Sequence, residues 1–370
     1  MPLHGELSSK PTYRVIRSLN EGRTAELFLC EHDVFGREAV QKEFSTLGLE
    51  DSVACSEPRL LDRIEHKRIV PVGEAQWGPA KKTITFTMPY YQGGSVLAAL
   101  NADYRFSVVQ GVALALELLD AVAHVHSVHR YLHRDIKPAN VFLDTEYEHL
   151  WLGDFGLAAE MDAGGYTGAI QGTPLYTAPE GGSKDGRLGA AADLYSTGLT
   201  LFEILNGRFP YEKLDYDKVD KRLQNHQRAL PSSAFLFQPH VPRRLRTAIR
   251  RTIAQREADR YVSALGMGQA LRRTLPCVDW RHVQGSGIEG MWEGSWPPLH
   301  DPEDRSRYRV ESVLLRGGRR RAVALQRLPR SASFRRFGPL DATWTGDDVG
   351  EIEALFNSVA ARAAHLRPAR

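Results

Sequence analysis

The sequence predicts an α+β protein: strands come first, helices follow, and a small hairpin-plus-helix module closes the chain. Three observations carry that reading. Short alternating runs rich in β-branched and aromatic residues occupy 13–44 and 83–88. Longer apolar runs at helical spacing occupy 108–125, 194–205, 245–254 and 261–271. Beyond residue 276 the composition shifts to Gly, Trp and Pro, then to two apolar-rich runs around Gly317-Gly318 and a final helical pattern over 348–366.

Composition bounds the class. The chain has 370 residues, 42% of them hydrophobic and 25% charged, which describes an ordinary globular protein of about two or three domains. A net charge of +3 does not point to a polyanionic partner. Three widely spaced cysteines with no CxxC argue against a disulfide framework or a zinc ribbon. The first residues lack the basic start and apolar core of a secretion signal. The most apolar stretch, 108–125, carries Glu117 and Asp120 and is read as too broken to cross a bilayer. The expectation is a soluble, cytoplasmic protein without a membrane partner.

Along the chain, 13–17, 25–30 and 38–44 read as strands. The turn at 20–24 holds a single glycine, Gly22. Ser56-Glu57-Pro58 looks like a helix start with proline in the first turn, so the helix there is expected to begin at Ser56 and to be short. Residues 83–88 alternate as a strand and lead into Pro89-Tyr90-Tyr91-Gln92-Gly93-Gly94-Ser95. The 108–125 helix is apolar on several faces, which suits burial inside a large lobe. It runs into His124, His126, His129 and His133; a metal cluster is disfavoured, since no cysteine or further ligand joins them.

The chemistry concentrates in His133-Arg134-Asp135-Ile136-Lys137-Pro138-Ala139-Asn140 and Asp154-Phe155-Gly156. An Asp followed by an Asn and then a second Asp supplies what phosphoryl transfer requires: one carboxylate to orient a hydroxyl, and two oxygen donors for a hard cation. Such a reaction needs positioning and charge neutralisation more than covalent chemistry from the protein. These motifs resemble the catalytic and metal loops of eukaryotic-type (Hanks-type) serine/threonine protein kinases, and the resemblance covers roughly residues 12–275.

The resemblance implies a bilobal kinase fold: an N-terminal extension over 1–11, an N-lobe over 12–88, a hinge over 89–94 and a C-lobe over 95–275. It implies ATP and Mg²⁺ as cofactors, and protein serine or threonine as substrate. Asp135 would orient the incoming hydroxyl, Lys137 would neutralise the transferred phosphate, and Asn140 and Asp154 would hold the metal. Lys42 would grip the nucleotide phosphates, with Glu57 as its partner by family spacing; Glu50, or no pair, are the alternatives. Gly22, Leu27, Val40 and Phe142 would surround the nucleotide, Met88 would be the gatekeeper, and Pro89 and Tyr91 would offer a carbonyl and an N–H to adenine. Thr167 is the candidate for self-phosphorylation, with Tyr166 and Thr173 as alternatives. Asp193 would brace the catalytic loop, and Glu180 would pair with Arg260. The glycine loop departs from the pattern, with Asn20 and Ala25 where outer glycines stand in the family.

No family is recognised in the tail from its residues. Residues 276–300 read as a linker or the irregular start of a small domain, and 301–370 as an α/β module. From Arg305 to Arg336 there are eleven arginines and one acid, Glu311. A basic surface docking a protein, whether regulator or substrate, is favoured over a simple structural extension and over nucleic acid, for which Phe334 and Trp344 would be the stacking residues.

Overall fold

The fold is given by a computed structural model, which describes residues 13–21, 25–169, 172–183, 185–275, 277–283, 290–296, 305–345 and 350–365. Gly22 and the turn around it lie outside the described residues. Strands β1 (Tyr13–Glu21), β2 (Glu26–His32), β3 (Glu38–Ser45), β4 (Ala75–Trp77) and β5 (Thr83–Pro89) form one sheet in the order β1-β2-β3-β5-β4. Between β3 and β4 run two short helices, α1 (Asp51–Ala54) and α2 (Ser56–Arg63). The break at Cys55 places Glu57 and Pro58 in the first turn of α2, where proline forfeits no helical hydrogen bond.

The larger lobe is helical: α3 (Val96–Asn101), α4 (Val108–His124), α5 (Ala190–Asn206), α6 (Tyr216–Gln224), α7 (Arg243–Thr252) and α8 (Ala264–Arg272). Ser95 caps α3, and Ser107 with Gln110 forms a full capping box at α4. By length and composition, α4 and the turn after it are apolar enough to cross a membrane, contrary to the sequence expectation. The physical reason is burial in a core: Val112, Leu114, Leu118, Ala121 and Val122 are all essentially inaccessible. A π-helical turn, Val125–His129, ends α4, and Arg130 closes it in the left-handed region (φ +57°).

Three two-stranded ribbons carry the loops of the site. β6 (Tyr131–Leu132) pairs with β9 (Ala159–Glu160), β7 (Val141–Leu143) with β8 (Leu150–Leu152), and β10 (Tyr166–Gly168) with β11 (Arg187–Gly189). Gly93 is required for the hinge to lie on this base, because a Cβ there would fall 2.0 Å from the Asp144 carbonyl oxygen.

The tail forms one antiparallel meander, β12 (Asp279–Val283), β13 (Gly290–Trp296), β14 (Ser306–Leu314), β15 (Arg319–Arg327) and β16 (Arg335–Thr345), followed by α9 (Gly350–His365). This corrects the linker assignment of 276–300, whose described residues include two strands of the sheet. Their inward positions are Trp280 and Trp292, both buried, and Gly294 sits under the Trp280 indole, where a Cβ would approach within 2.6 Å. The Gly and Trp content that suggests a linker is thus the packing of a small core. The stacking role given to Trp344 is also corrected: its side chain is buried in that core. The tail packs on the helical lobe. Asp279 accepts the Val109 N–H at the start of α4 (2.9 Å), Arg246 pairs with Glu353, and Phe356 meets Trp280, Trp292 and His240 edge-on or tilted.

Candidate active site

The site lies where the sheet lobe faces the β7–β8 base. Lys42 points from β3 to Glu57, with its Nζ 2.8 Å from both carboxylate oxygens, and to Asp154 Oδ1, also at 2.8 Å. Of the partners left open by the sequence, Glu57 is the one that reaches the lysine. Burial alone would lower the Lys42 pKa, but the two carboxylates beside it more than compensate and hold it above the usual lysine range. Burial likewise works against the Asp154 carboxylate, yet Lys42 brings its pKa below the usual range. Both side chains therefore stay ionised across the physiological range.

The catalytic loop is braced from below. Asp193, at the start of α5 and fully buried, accepts the backbone N–H groups of His133 and Arg134, each at 2.8 Å, and contacts His126 Nε2 at 2.7 Å. His133 Nε2 lies 3.0 Å from the Gly153 carbonyl oxygen, and its ring meets Phe155 edge-on. The four histidines of the 124–133 stretch are thus used separately: His126 on Asp193, His133 under the metal loop, and His124 against the rings of His66 and His129. Arg134 (φ +65°) and Asp154 (φ +58°) occupy the left-handed region, which non-glycine residues adopt only where the surroundings impose it. The Asp193 carboxylate on Arg134 N and the lysine on Asp154 are such constraints.

Around Asp135 the side chains converge. Lys137 Nζ donates to Asp135 Oδ2 and to Thr173 Oγ1, both at 2.7 Å, and Thr173 donates to Asp135 Oδ1 at 2.8 Å. Asn140 Nδ2 donates to the Asp135 carbonyl (2.9 Å) and carboxylate (3.1 Å). That leaves the Asn140 amide oxygen, and the second oxygen of Asp154, as hard donors suited to Mg²⁺.

The nucleotide wall follows the ladder. Leu27 and Phe86 flank Lys42, and Val40 pairs with Met88, so Val40 and Met88 sit side by side next to the hinge. Tyr91 stacks on Phe142 and meets Trp151 at a tilt. Trp151 is a contact that the sequence reading missed; its place on β8 opposite Phe142 is the signal that could have found it.

Two remaining expectations concern more distant groups. Arg260, completely buried, binds Glu180 through two parallel 2.7 Å bonds and donates to three backbone carbonyls as well. Thr167 is not a free loop hydroxyl: it lies in β10, is buried, and contacts Arg134 Nη1 at 3.2 Å.

A two-lobed fold with a lysine–carboxylate pair across from an Asp–Lys–Asn loop defines the class of protein-modifying phosphotransferases. Comparison with known proteins agrees. The family described as the protein kinase domain matches residues 13–271. The chain is 27% identical over 347 residues to the serine/threonine-protein kinase Pkn1 of Myxococcus xanthus, covering 87% of this chain and 48% of that protein. It is 33% identical over 171 residues to CBL-interacting protein kinase 15 of Oryza sativa subsp. japonica, covering 45% and 38%. With protein kinase 2 of Dictyostelium discoideum the identity is 26% over 260 residues, covering 70% and 52%. The chain belongs to the protein kinase family; its matches span about half the length of these relatives or less.

Proposed function

We propose that the chain is an active protein kinase that transfers the γ-phosphoryl group of ATP to serine or threonine hydroxyls. The observation that carries this is the closed set Lys42–Glu57–Asp154 facing the Asp135–Lys137–Thr173 cluster. Lys42, fixed by Glu57, would meet the nucleotide phosphates. Mg²⁺, when bound, would neutralise the developing charge on the phosphates, and Asn140 and Asp154 are the residues to hold it. Asp135 would take the place beside the substrate hydroxyl that its bond to Thr173 now marks, and Lys137 would stand at the transferred phosphate. The Lys137–Thr173 contact also supports serine or threonine over tyrosine.

Thr167 is the proposed site of self-phosphorylation. Its hydroxyl already faces Arg134, whose guanidinium would receive the phosphate. Because Thr167 is paired into β10, the ribbon with β11 must open for the hydroxyl to enter an active site. The C-terminal module, docked on the helical lobe, is proposed to regulate the kinase or to dock protein substrate.

Incubation of the full chain with Mg-ATP, followed by phosphosite mapping, tests the proposal, with Asp135→Asn in parallel. Phosphate on Thr167 in the wild type alone is expected. Phosphate confined to other sites keeps the kinase and removes the Thr167 assignment. No phosphate in either protein, with ATP still bound, favours a nucleotide-binding scaffold, the reading that the sparse glycine loop supports.

A further inference from the structure

Between the helical lobe and the C-terminal module lies a cavity of about 510 Å³. The loop between α3 and α4, the end of α5, the Gln238–His240 stretch and His282 of β12 enclose it. Its size and its position at a junction of two units are those of a small-molecule site. Two of its lining residues, Arg105 and Arg208, are cationic, two more, His240 and His282, carry imidazole N–H groups, and one, Asp103, is acidic.

Two buried nitrogens of this wall have no partner among the described residues, Arg105 Nε and His240 Nδ1. Native proteins rarely leave such atoms unpaired. Neither is a surface accident. His240 is 3% exposed. Arg105 fits because residue 207 is glycine with φ +90°, where a Cβ would lie 2.8 Å from Arg105 Nη1. Arg105 gives one terminal nitrogen to Asp103 (2.5 Å), and Arg208 gives one to Glu212 (2.5 Å), which leaves further donors in each guanidinium fork. An oxyanion in the cavity would satisfy the orphaned nitrogens and face two guanidiniums of the helical lobe and the His282 ring of the module.

We propose that this cavity binds a small metabolite of the phosphomonoester class, held by Arg105, Arg208, His240 and His282, and that the bound anion ties the module to the helical lobe. The nucleotide cleft and the pocket beside Thr167 are separate places, and neither shares a residue with this one.

Inorganic phosphate is the probe. Thermal unfolding of the full chain without nucleotide is followed as phosphate replaces chloride at constant ionic strength, with the histidine ring signals read by NMR in the same titration. A saturable rise in the unfolding midpoint is expected, together with perturbed His240 and His282 ring signals. Arg105→Gln and His282→Asn should each weaken phosphate by about tenfold or more. Lys42→Met and Arg134→Gln, which alter the other two phosphate-attracting places, should leave the titration unchanged. Should Arg105→Gln not fold, His282→Asn carries the test alone. The proposal is overturned by no shift, by an unsaturable shift equal in all variants, or by a shift lost only in Lys42→Met or Arg134→Gln. Because nucleotide is absent, none of these results bears on the kinase reading.

Discussion

The catalytic cleft and the C-terminal module use charge in opposite ways. In the cleft and the lobe that braces it, the key charged side chains are buried and committed: Lys42 to Glu57 and Asp154, Asp193 to two backbone N–H groups, Arg260 to Glu180. In the module the arginines are many and largely exposed, and several neutralise local acids. Arg309 meets Glu293 and Glu311, Arg321 and Arg336 share Asp341, and Arg309 and Arg327 stack on Phe334. A count of arginines therefore overstates the free positive surface of the tail. Fixed charge marks function when it is desolvated and held, and counts for little when it is solvated.

Four tests sharpen this contrast. The largest expected effect is on chemistry. Asp135→Asn should lower the rate of phosphoryl transfer by about 10²–10⁴-fold, the range of a lost acid–base group, while ATP affinity changes little. Equal rates in steady-state assays of the two proteins would remove Asp135 from its role.

Next is Glu180→Gln, which leaves the wholly buried Arg260 without its counter-charge. Breaking such a pair costs about 3–5 kcal/mol, and urea denaturation should show it as a lower midpoint. A change no larger than that of an exposed pair such as Arg14–Glu31 would break the contrast drawn here.

In the module, packing should matter more than charge. Gly294→Val would drive a side chain into the Trp280 ring and is expected to cost about 1–3 kcal/mol. Arg327→Gln, on the exposed side, should cost less than about 0.5 kcal/mol. Calorimetry of both variants would contradict this if the order were reversed.

A further effect is one of pH. Burial pushes the His240 pKa down to about 3. Below about pH 6.5 the unfolded chain binds a proton at this position that the folded chain refuses, so the contribution of His240 to stability falls as pH falls, by about 1.4 kcal/mol per pH unit until the folded value is reached. Stability curves at pH 7 and pH 5.5 should converge in His240→Asn relative to the wild type; a parallel displacement would argue against a neutral, buried His240.

Much of the site is legible in the sequence, for a physical reason. Phosphoryl transfer dictates residue types and short spacings, so Asp135, Asn140 and Asp154 announce themselves within one stretch of chain. The distant members, Glu57, Asp193 and Arg260, come only from the family pattern, because nothing local encodes which carboxylate a lysine will reach. Pro58 makes Glu57 look poorly placed; the break at Cys55 resolves it by starting a new helix where proline is harmless. The tail is the opposite case. β12 and β13 are hidden because glycine makes room for tryptophan, a pairing visible only across strands. β16 is hidden because Gly338 and Pro339 interrupt its alternation. The pairs Asp279–Val109 and Arg246–Glu353 join residues more than a hundred positions apart, and no periodicity reports them.

The central proposal is that the Lys42–Glu57 pair, made within this one chain, completes a working cleft. The rate of phosphoryl transfer from Mg-ATP to a serine/threonine peptide mixture, measured for the purified wild type and for Glu57→Gln, tests it most directly. Transfer by the wild type without any added partner is expected, with a rate at least about tenfold lower in the variant, the equivalent of about 1.4 kcal/mol of barrier. Wild-type protein that is silent until a partner is added, or that matches Glu57→Gln, would contradict it.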